Sequence, residues 1–146
     1  MKKVSIITVT YNVSKAILPT LESVKQIKTP DIEYIIIDGG SSDDTLDIIK
    51  SYGDVVDVLV SEHDKGIYDA MNKGISLSSG EWIIFQNCGD EILLVPIKKL
   101  DSVDLQVKAV CGRTIDEKEN ISIPRYDISL YHGNSIPHQA LFYRSN

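Results

Sequence analysis

Three carboxylates in this chain, Asp38, Asp64 and Asp90, each come soon after a short apolar run. Asp38 closes Tyr34-Ile35-Ile36-Ile37 and is followed by Gly39 and Gly40. A carboxylate there can accept hydrogen bonds from a ribose or a base N–H, and residues without a Cβ let a ligand come close to the backbone. Asp90 follows Trp82-Ile83-Ile84-Phe85 by way of Asn87-Cys88-Gly89. Mg2+ and Mn2+ take carboxylate and phosphate oxygens plus water, so one or two carboxylates suffice where a nucleoside diphosphate brings the other ligands. Asp64 and Lys65 precede a helical pattern and can contact the same nucleotide, and His138 can orient an acceptor or meet a phosphate. Each residue also has an ordinary reading. Asp38 is equally an Asp turn leading into a helix, Asp90 a lone turn residue, Asp64 and Lys65 exposed loop charges, and His138 a packed or solvated imidazole. The helix start after Ser41-Ser42 has the N–H groups to hold phosphate, but Asp43 and Asp44 at the same terminus repel it, so that turn reads as structural.

The elements that position these residues alternate. Val4–Val9 reads as a first buried strand, with Thr10-Tyr11-Asn12 leaving it and Ser14 capping a helix over Lys15–Lys25, where Ile17, Leu21 and Val24 share one side. Thr29-Pro30-Asp31 is a turn, Tyr34–Ile37 a second strand, and Ser42 the cap of a helix over Asp43–Tyr52. Val55–Ser61 is the third strand. The stretch from Glu62 to Asp90 then holds the centre of the pattern: Gly66 opens a helix whose apolar or small face is Ile67, Ala70, Met71, Gly74 and Ile75, opposite Tyr68, Asp69, Asn72 and Lys73. Ser78-Ser79-Gly80 ends that helix, and Trp82–Phe85 is a strand covered on both sides. The order β-α-β-α-β-α-β with short links predicts a parallel sheet, right-handed crossovers and helices on both faces. Asp38, Asp64–Gly66 and Asp90 then fall after the second, third and fourth strands, on one edge, where open α/β sheets bind ligands.

Beyond Glu91 the pattern changes. Ile92–Asp101 reads as a loop or short helix interrupted by Pro96, Gln106–Cys111 as a strand, Asp116–Asn120 as a charged turn, and Ile121–Tyr126 as a short strand broken by Pro124. The segment His132–Arg144 mixes loop residues with a final apolar strand. Its 146 residues make one ordinary domain, and 42% hydrophobic with 25% charged residues is a globular composition. A net charge of -6 argues against a nucleic-acid binder, which needs clustered Lys and Arg. Cys88 and Cys111 have neither zinc nor disulfide-framework spacing and read as free thiols in a reducing cytoplasm. Lys2-Lys3 before Val4–Val9 imitates a signal peptide, but the apolar run is too short and has no small-residue cleavage site. No run approaches the length of a membrane span, which leaves peripheral association at the inner face of the cell membrane.

The ordered set VSIITVTYN (Val4–Asn12), IIIDGGSSDDT (Ile35–Thr45), DKGIYDAMNKG (Asp64–Gly74), GEWIIFQNCGD (Gly80–Asp90) and PHQALFYR (Pro137–Arg144) resembles the bacterial family-two glycosyltransferases of surface-polysaccharide biosynthesis. The resemblance implies a three-layer α/β GT-A fold with a mostly parallel sheet, a nucleotide-binding part over 1–91 and an acceptor-binding part over 92–146 within a single domain. It implies a nucleotide-diphosphate sugar as donor, expected to be UDP-linked, a glycan or lipid-linked acceptor, Mn2+ or Mg2+ as cofactor, and inversion at the anomeric centre. By the same likeness Thr8, Thr10 and Tyr11 line the nucleoside pocket, and Asp38 binds base or ribose. Asp64, Lys65 and Gly66 contact the nucleotide, Asp69 lies near the donor sugar, and His138 stands on the acceptor side. Asn87-Cys88-Gly89-Asp90 takes the place of the metal-binding DxD-type motif, with Asp90 as ligand and Asn87 beside the donor. The motif lacks its leading carboxylates, and no residue matches the family's acidic motif for the catalytic base, expected beyond the His-Gln segment. The expectation is therefore a part of a longer enzyme or, as the alternative, a donor-binding module without turnover.

Overall fold

A computed structural model describes residues 2–116, 118–122 and 140–145. The elements in chain order are β1 (Val4–Thr10), α1 (Ile17–Ile27), β2 (Ile32–Asp38), α2 (Thr45–Lys50), β3 (Val58–Ser61), α3 (Ile67–Leu77) and β4 (Trp82–Phe85), and then α4 (Ile97–Asp101), β5 (Ala109–Cys111), β6 (Thr114–Ile115), β7 (Ile121–Ser122) and β8 (Leu141–Arg144). Six strands form one sheet in the order β3-β2-β1-β4-β8-β5, while β6 and β7 pair separately. The four strands of the alternating region run parallel, and β8 joins β4 antiparallel. This is the mostly parallel α/β sheet that the β-α alternation predicts.

Continuous hydrophobicity makes these strands central. All seven residues of β2 are buried, as expected where helices cover both faces. Alternate side chains divide the core in two. Val4, Ile6, Tyr34, Ile36, Trp82 and Ile84 pack beneath Ile17, Leu21 and Val24 of α1 and Ile49 of α2. Ile7, Ile35, Ile37 and Ile83 pack against Ala70 of α3 on the other face. The register sets Thr10 beside Asp38 and Asp38 beside Ser61, so three strand ends finish level at one edge.

Several local expectations are corrected. Ser14 does not cap α1, which starts at Ile17; the Ser14 N–H instead meets the Asp43 carboxylate at 3.1 Å. Nor does Ser42 cap α2, since its N–H and hydroxyl both turn to Asn12 Oδ1. The N-cap position falls to Asp44, whose side chain makes no cap hydrogen bond, while Asp43 just before it accepts from the Thr45 N–H and hydroxyl. The third strand is shorter than Val55–Ser61, because Val55 and Val56 close a turn on the Tyr52 carbonyl. The expected strand over Gln106–Cys111 is confined to Ala109–Cys111, and Pro96 immediately precedes α4 rather than interrupting it. Of the turn expected over Asp116–Asn120, the described residues bring the Lys118 and Asn120 N–H groups to the Asp116 carboxylate. The strand expected over Ile121–Tyr126 is described only as far as Ser122.

Helix α3 opens at Gly66 with φ 113°, the left-handed conformation anticipated for that glycine. Its buried face is narrower than the periodicity suggests. Only Ala70 and Gly74 are buried, while Ile67 is 58% and Ile75 43% exposed. Small residues let the helix sit close to the sheet: a Cβ at Gly74 would stand 2.5 Å from Ile7 Cγ2. Among the described residues no helix is long and apolar enough to cross a membrane.

Candidate donor-binding site

The level strand ends collect most of the residues singled out by the sequence. Asp38 is fully buried, and its carboxylate is met by five donors. Oδ1 accepts from Thr10 Oγ1 at 3.0 Å and Ser41 Oγ at 2.5 Å; Oδ2 accepts from the N–H groups of Gly40 at 3.0 Å and Ser41 at 2.9 Å and from Ser61 Oγ at 2.8 Å. Burial pushes the Asp38 pKa up, but the hydrogen bonds from Ser41, Ser61 and Thr10 more than offset it, so the carboxyl stays below its ordinary range. In this arrangement Asp38 does not offer its carboxylate to a base or ribose. It ties the ends of β1, β2 and β3 together from beneath. Thr8 is likewise fully buried, its hydroxyl accepting from Tyr34 at 3.2 Å, and faces the packed interior rather than a nucleoside pocket.

Above Asp38 lies an open cleft. Val9, Thr10, Tyr11, Asp64, Gly66, Ile67 and Ala70 line a cavity of about 300 Å3. The Tyr11 ring is 60% exposed at its mouth. Gly39 forms part of the same cluster, since a Cβ built there would lie 2.7 Å from Asp64 Oδ2 and 3.4 Å from Tyr11 Cδ2. Asp64 Oδ1 accepts from the Gly66 N–H at 2.8 Å, which shapes the loop entering α3. Asp69 accepts from the Lys65 N–H at 3.1 Å and pairs with Lys73 at 3.3 Å. The Lys65 hydrogen bond, opposed by desolvation and helped by Lys73, holds the Asp69 carboxyl below its usual range. Lys65 itself is exposed beside the cleft. His138 lies outside the described residues.

On the other side of the β1 end, β4 runs into the turn Asn87–Asp90. The Asp90 N–H donates to the Asn87 carbonyl at 3.3 Å, and Gly89 at the third position has φ 92°, as a type II turn requires. Two groups hold this turn, one half-buried and one fully buried. Cys88 Sγ points inward to the Val9 carbonyl at 3.6 Å. Thr20 of α1, fully buried, donates to the Asp90 carbonyl at 2.8 Å, lies 3.3 Å from the Asn87 carbonyl, and accepts from the Gly89 N–H at 2.9 Å. One turn along α1, Ser23 Oγ accepts from the Ile92 N–H at 3.1 Å. With the backbone so held, the side chains of Asn87 and Asp90 project from the turn and meet each other at 3.4 Å.

The fit of a cation can be judged from the donor set. Among the described residues no three ligating side chains form a metal-holding group. Asp90 supplies a hard oxygen donor, and the Asn87 amide, which here turns its Nδ2 to Asp90 Oδ2, would supply a second by turning its oxygen inward; such a set suits Mg2+ or Mn2+ arriving with a diphosphate and does not make a closed site. Thr20, Ser23 and Ser61 were not singled out as site residues by sequence reasoning. The available signal was a threonine within the buried stripe Ile17, Thr20, Leu21, Val24 of an otherwise apolar helix face.

The chain is similar to known glycosyltransferases in sequence and in fold. A PGL/p-HBAD biosynthesis glycosyltransferase of Mycobacterium bovis is 31% identical over 149 residues, covering 96% of this chain and 58% of its own length. The chain thus spans a little over half of that relative. The Escherichia coli UDP-Glc:alpha-D-GlcNAc-diphosphoundecaprenol beta-1,3-glucosyltransferase WfaP is 35% identical over 91 residues, which is 62% of this chain and 36% of WfaP. Among solved structures, S. aureus TarS 1-349 in complex with UDP superimposes with a TM-score of 0.72 at 22% identity, covering 98% of this chain and 47% of TarS 1-349. The mannosyltransferase PcManGT of Pyrobaculum calidifontis, in complex with GDP-Man and Mn2+, gives 0.69 at 17% identity, covering 97% and 44%. These likenesses establish the GT-A fold. The family model described as Glycosyl transferase family 2 matches residues 5–93, the stretch holding every element of the cleft and the turn, and the chain belongs to that family.

Proposed function

We propose that this chain is the donor-binding part of an inverting glycosyltransferase that uses a UDP-sugar, with the donor bound by residues 1–91 and the acceptor side formed from 92–146. The observation that carries this reading is the shared rim: the Tyr11–Gly39–Asp64 cleft and the Asn87–Asp90 turn flank the end of β1. A nucleoside in the cleft directs its diphosphate toward the turn. Tyr11 offers an exposed ring to the base, Asp64 and the Gly66 backbone border the ribose, and Lys65 supplies a positive charge at the loop. Asp38 acts indirectly, holding the floor of the cleft in shape through Ser41, Ser61 and Thr10.

Asp90, with Asn87, would hold Mn2+ or Mg2+ against the diphosphate; the ion would supply charge neutralisation for the leaving group. In the reaction an acceptor hydroxyl oxygen bonds to the anomeric carbon from the side opposite the diphosphate. The hydroxyl proton passes to a base, the anomeric C–O bond to the diphosphate breaks, and the configuration inverts. The acceptor proposed is a lipid-linked or surface-polysaccharide glycan, in keeping with the lipid-linked acceptor named for WfaP.

Titration calorimetry with UDP tests the reading. The expected result is binding strengthened by Mn2+, with the metal-dependent part lost in Asp90→Ala and binding weakened in Tyr11→Ala. No binding of UDP in the presence of Mn2+ would remove it. Binding without sugar transfer or donor hydrolysis would assign the chain to donor binding alone.

A further inference from the structure

We propose that Thr20, buried in the middle of α1, is a positioning residue that sets the metal affinity of the Asn87–Asp90 turn. The inference rests on the donor-binding reading above and adds a residue that no sequence motif supplied.

A threonine hydroxyl has one proton to give and two lone pairs to receive. Thr20 uses both functions on one turn: the proton lies between the Asp90 carbonyl at 2.8 Å and the Asn87 carbonyl at 3.3 Å, and the oxygen receives the Gly89 N–H at 2.9 Å. A single side chain therefore contacts backbone groups of three of the turn's four residues. The turn has few other constraints. Its own closing hydrogen bond is 3.3 Å long, Gly89 carries no side chain to pack, and a Cβ at Gly89 would meet nothing within 4 Å. Among the described residues, Cys88, through the Val9 carbonyl, ties it from a second direction.

Helix packing fixes Thr20 itself. It is fully buried, between Ile17, Leu21 and Val24, which are themselves fully buried against the sheet. Ser23 strengthens the same helix-to-loop seam by donating to the Thr20 carbonyl at 2.8 Å and accepting from Ile92. A donor pair as sparse as Asp90 and Asn87 gains its affinity from being held in register with the diphosphate oxygens. Loss of a supporting hydrogen bond outside the ligand sphere costs a metal site about 10–100-fold.

The test uses the full chain with UDP at saturation and counts free Mn2+ by electron paramagnetic resonance, alongside UDP calorimetry in EDTA. Thr20→Val keeps the shape and removes both hydrogen-bonding functions; Thr20→Ser keeps them. The expected result is Mn2+ affinity about tenfold weaker in Thr20→Val, restored in Thr20→Ser, with metal-free UDP affinity unchanged in both. Faster exchange of the Gly89 amide hydrogen in Thr20→Val is expected to accompany it. Wild-type Mn2+ affinity in Thr20→Val overturns the proposal, as does an equal loss of metal-free UDP binding, which marks a general packing role. If Thr20→Val does not fold, Thr20→Ala carries the same expectation, and failure of both to fold assigns Thr20 to the core and ends the proposal. Absence of UDP–Mn2+ binding in the wild type is a different outcome, the failure of the donor-binding reading itself.

Discussion

The Asp64 carboxylate rests directly over the α-carbon of Gly39, so that a methyl group there would stand 2.7 Å from Oδ2. The obstructing atom is the end of a mobile side chain, not backbone, and Gly39 does not need a left-handed conformation. Gly39→Ala is therefore expected to fold with nearly wild-type stability while pushing Asp64 away from the cleft. UDP affinity should fall about tenfold or more, which corresponds to roughly 1.4 kcal/mol. Thermal unfolding together with calorimetry separates the two effects. Gly80→Ala is the contrasting variant: its Cβ would meet the Ser5 backbone nitrogen at 2.6 Å, and it should lose stability.

Asp38 predicts an acid-limb effect with a definite sign. Its folded pKa is depressed, burial being outweighed by the Ser41, Ser61 and Thr10 hydrogen bonds. The stabilising contribution is therefore complete above the unfolded-state value of about 3.9, and it is lost as pH falls from there through the lower folded value. Asp38→Asn places an amide N–H2 among five donors and should cost about 3 kcal/mol at neutral pH. It should also flatten the decline in stability below about pH 4 by up to one proton's slope, roughly 1.4 kcal/mol per pH unit. Urea unfolding at several pH values checks both; an unchanged acid limb would show that Asp38 is not a source of the decline.

The sheet was legible because parallel strands buried on both faces carry their signal locally, as in Ile35-Ile36-Ile37 and Trp82-Ile83-Ile84. The convergence of Asp38, Asp64 and Asp90 at one rim followed from the alternation alone. What did not follow was which carboxylate faces a ligand. Ser61 reaches Asp38 from 23 residues away, and a run ending in Asp-Gly-Gly reads the same whether the carboxylate is free or enclosed. The caps failed for a similar reason, since Asn12 competes for Ser42 across 30 residues. Arg144 was invisible in this sense too. Its guanidinium pairs with Glu81 at 2.5 Å, donates to the Val107 carbonyl at 3.0 Å and stacks on Trp82 at 4.3 Å, contacts with no periodic trace in the chain.

Cys88 joins the turn to the core and gives a chemical readout of that seam. Burial, and secondly the Asp90 charge, pushes its thiol up to about 12. The thiolate is the reactive form, so at pH 8 the native thiol should be alkylated by iodoacetamide on the order of a thousandfold more slowly than an ordinary cysteine with pKa about 8.5. Unfolding in urea should abolish the difference. Asp90→Asn removes the smaller of the two causes and should quicken native alkylation without exposing the sulfur. Because the folded pKa is raised, the associated stability is complete below the unfolded value of about 8.5 and declines as pH rises from there toward the folded one. Mass-resolved alkylation at Cys88 checks this. A native rate equal to the unfolded rate would mean that the turn opens freely from the Val9 carbonyl, and that neither Cys88 nor Thr20 holds Asp90 in place.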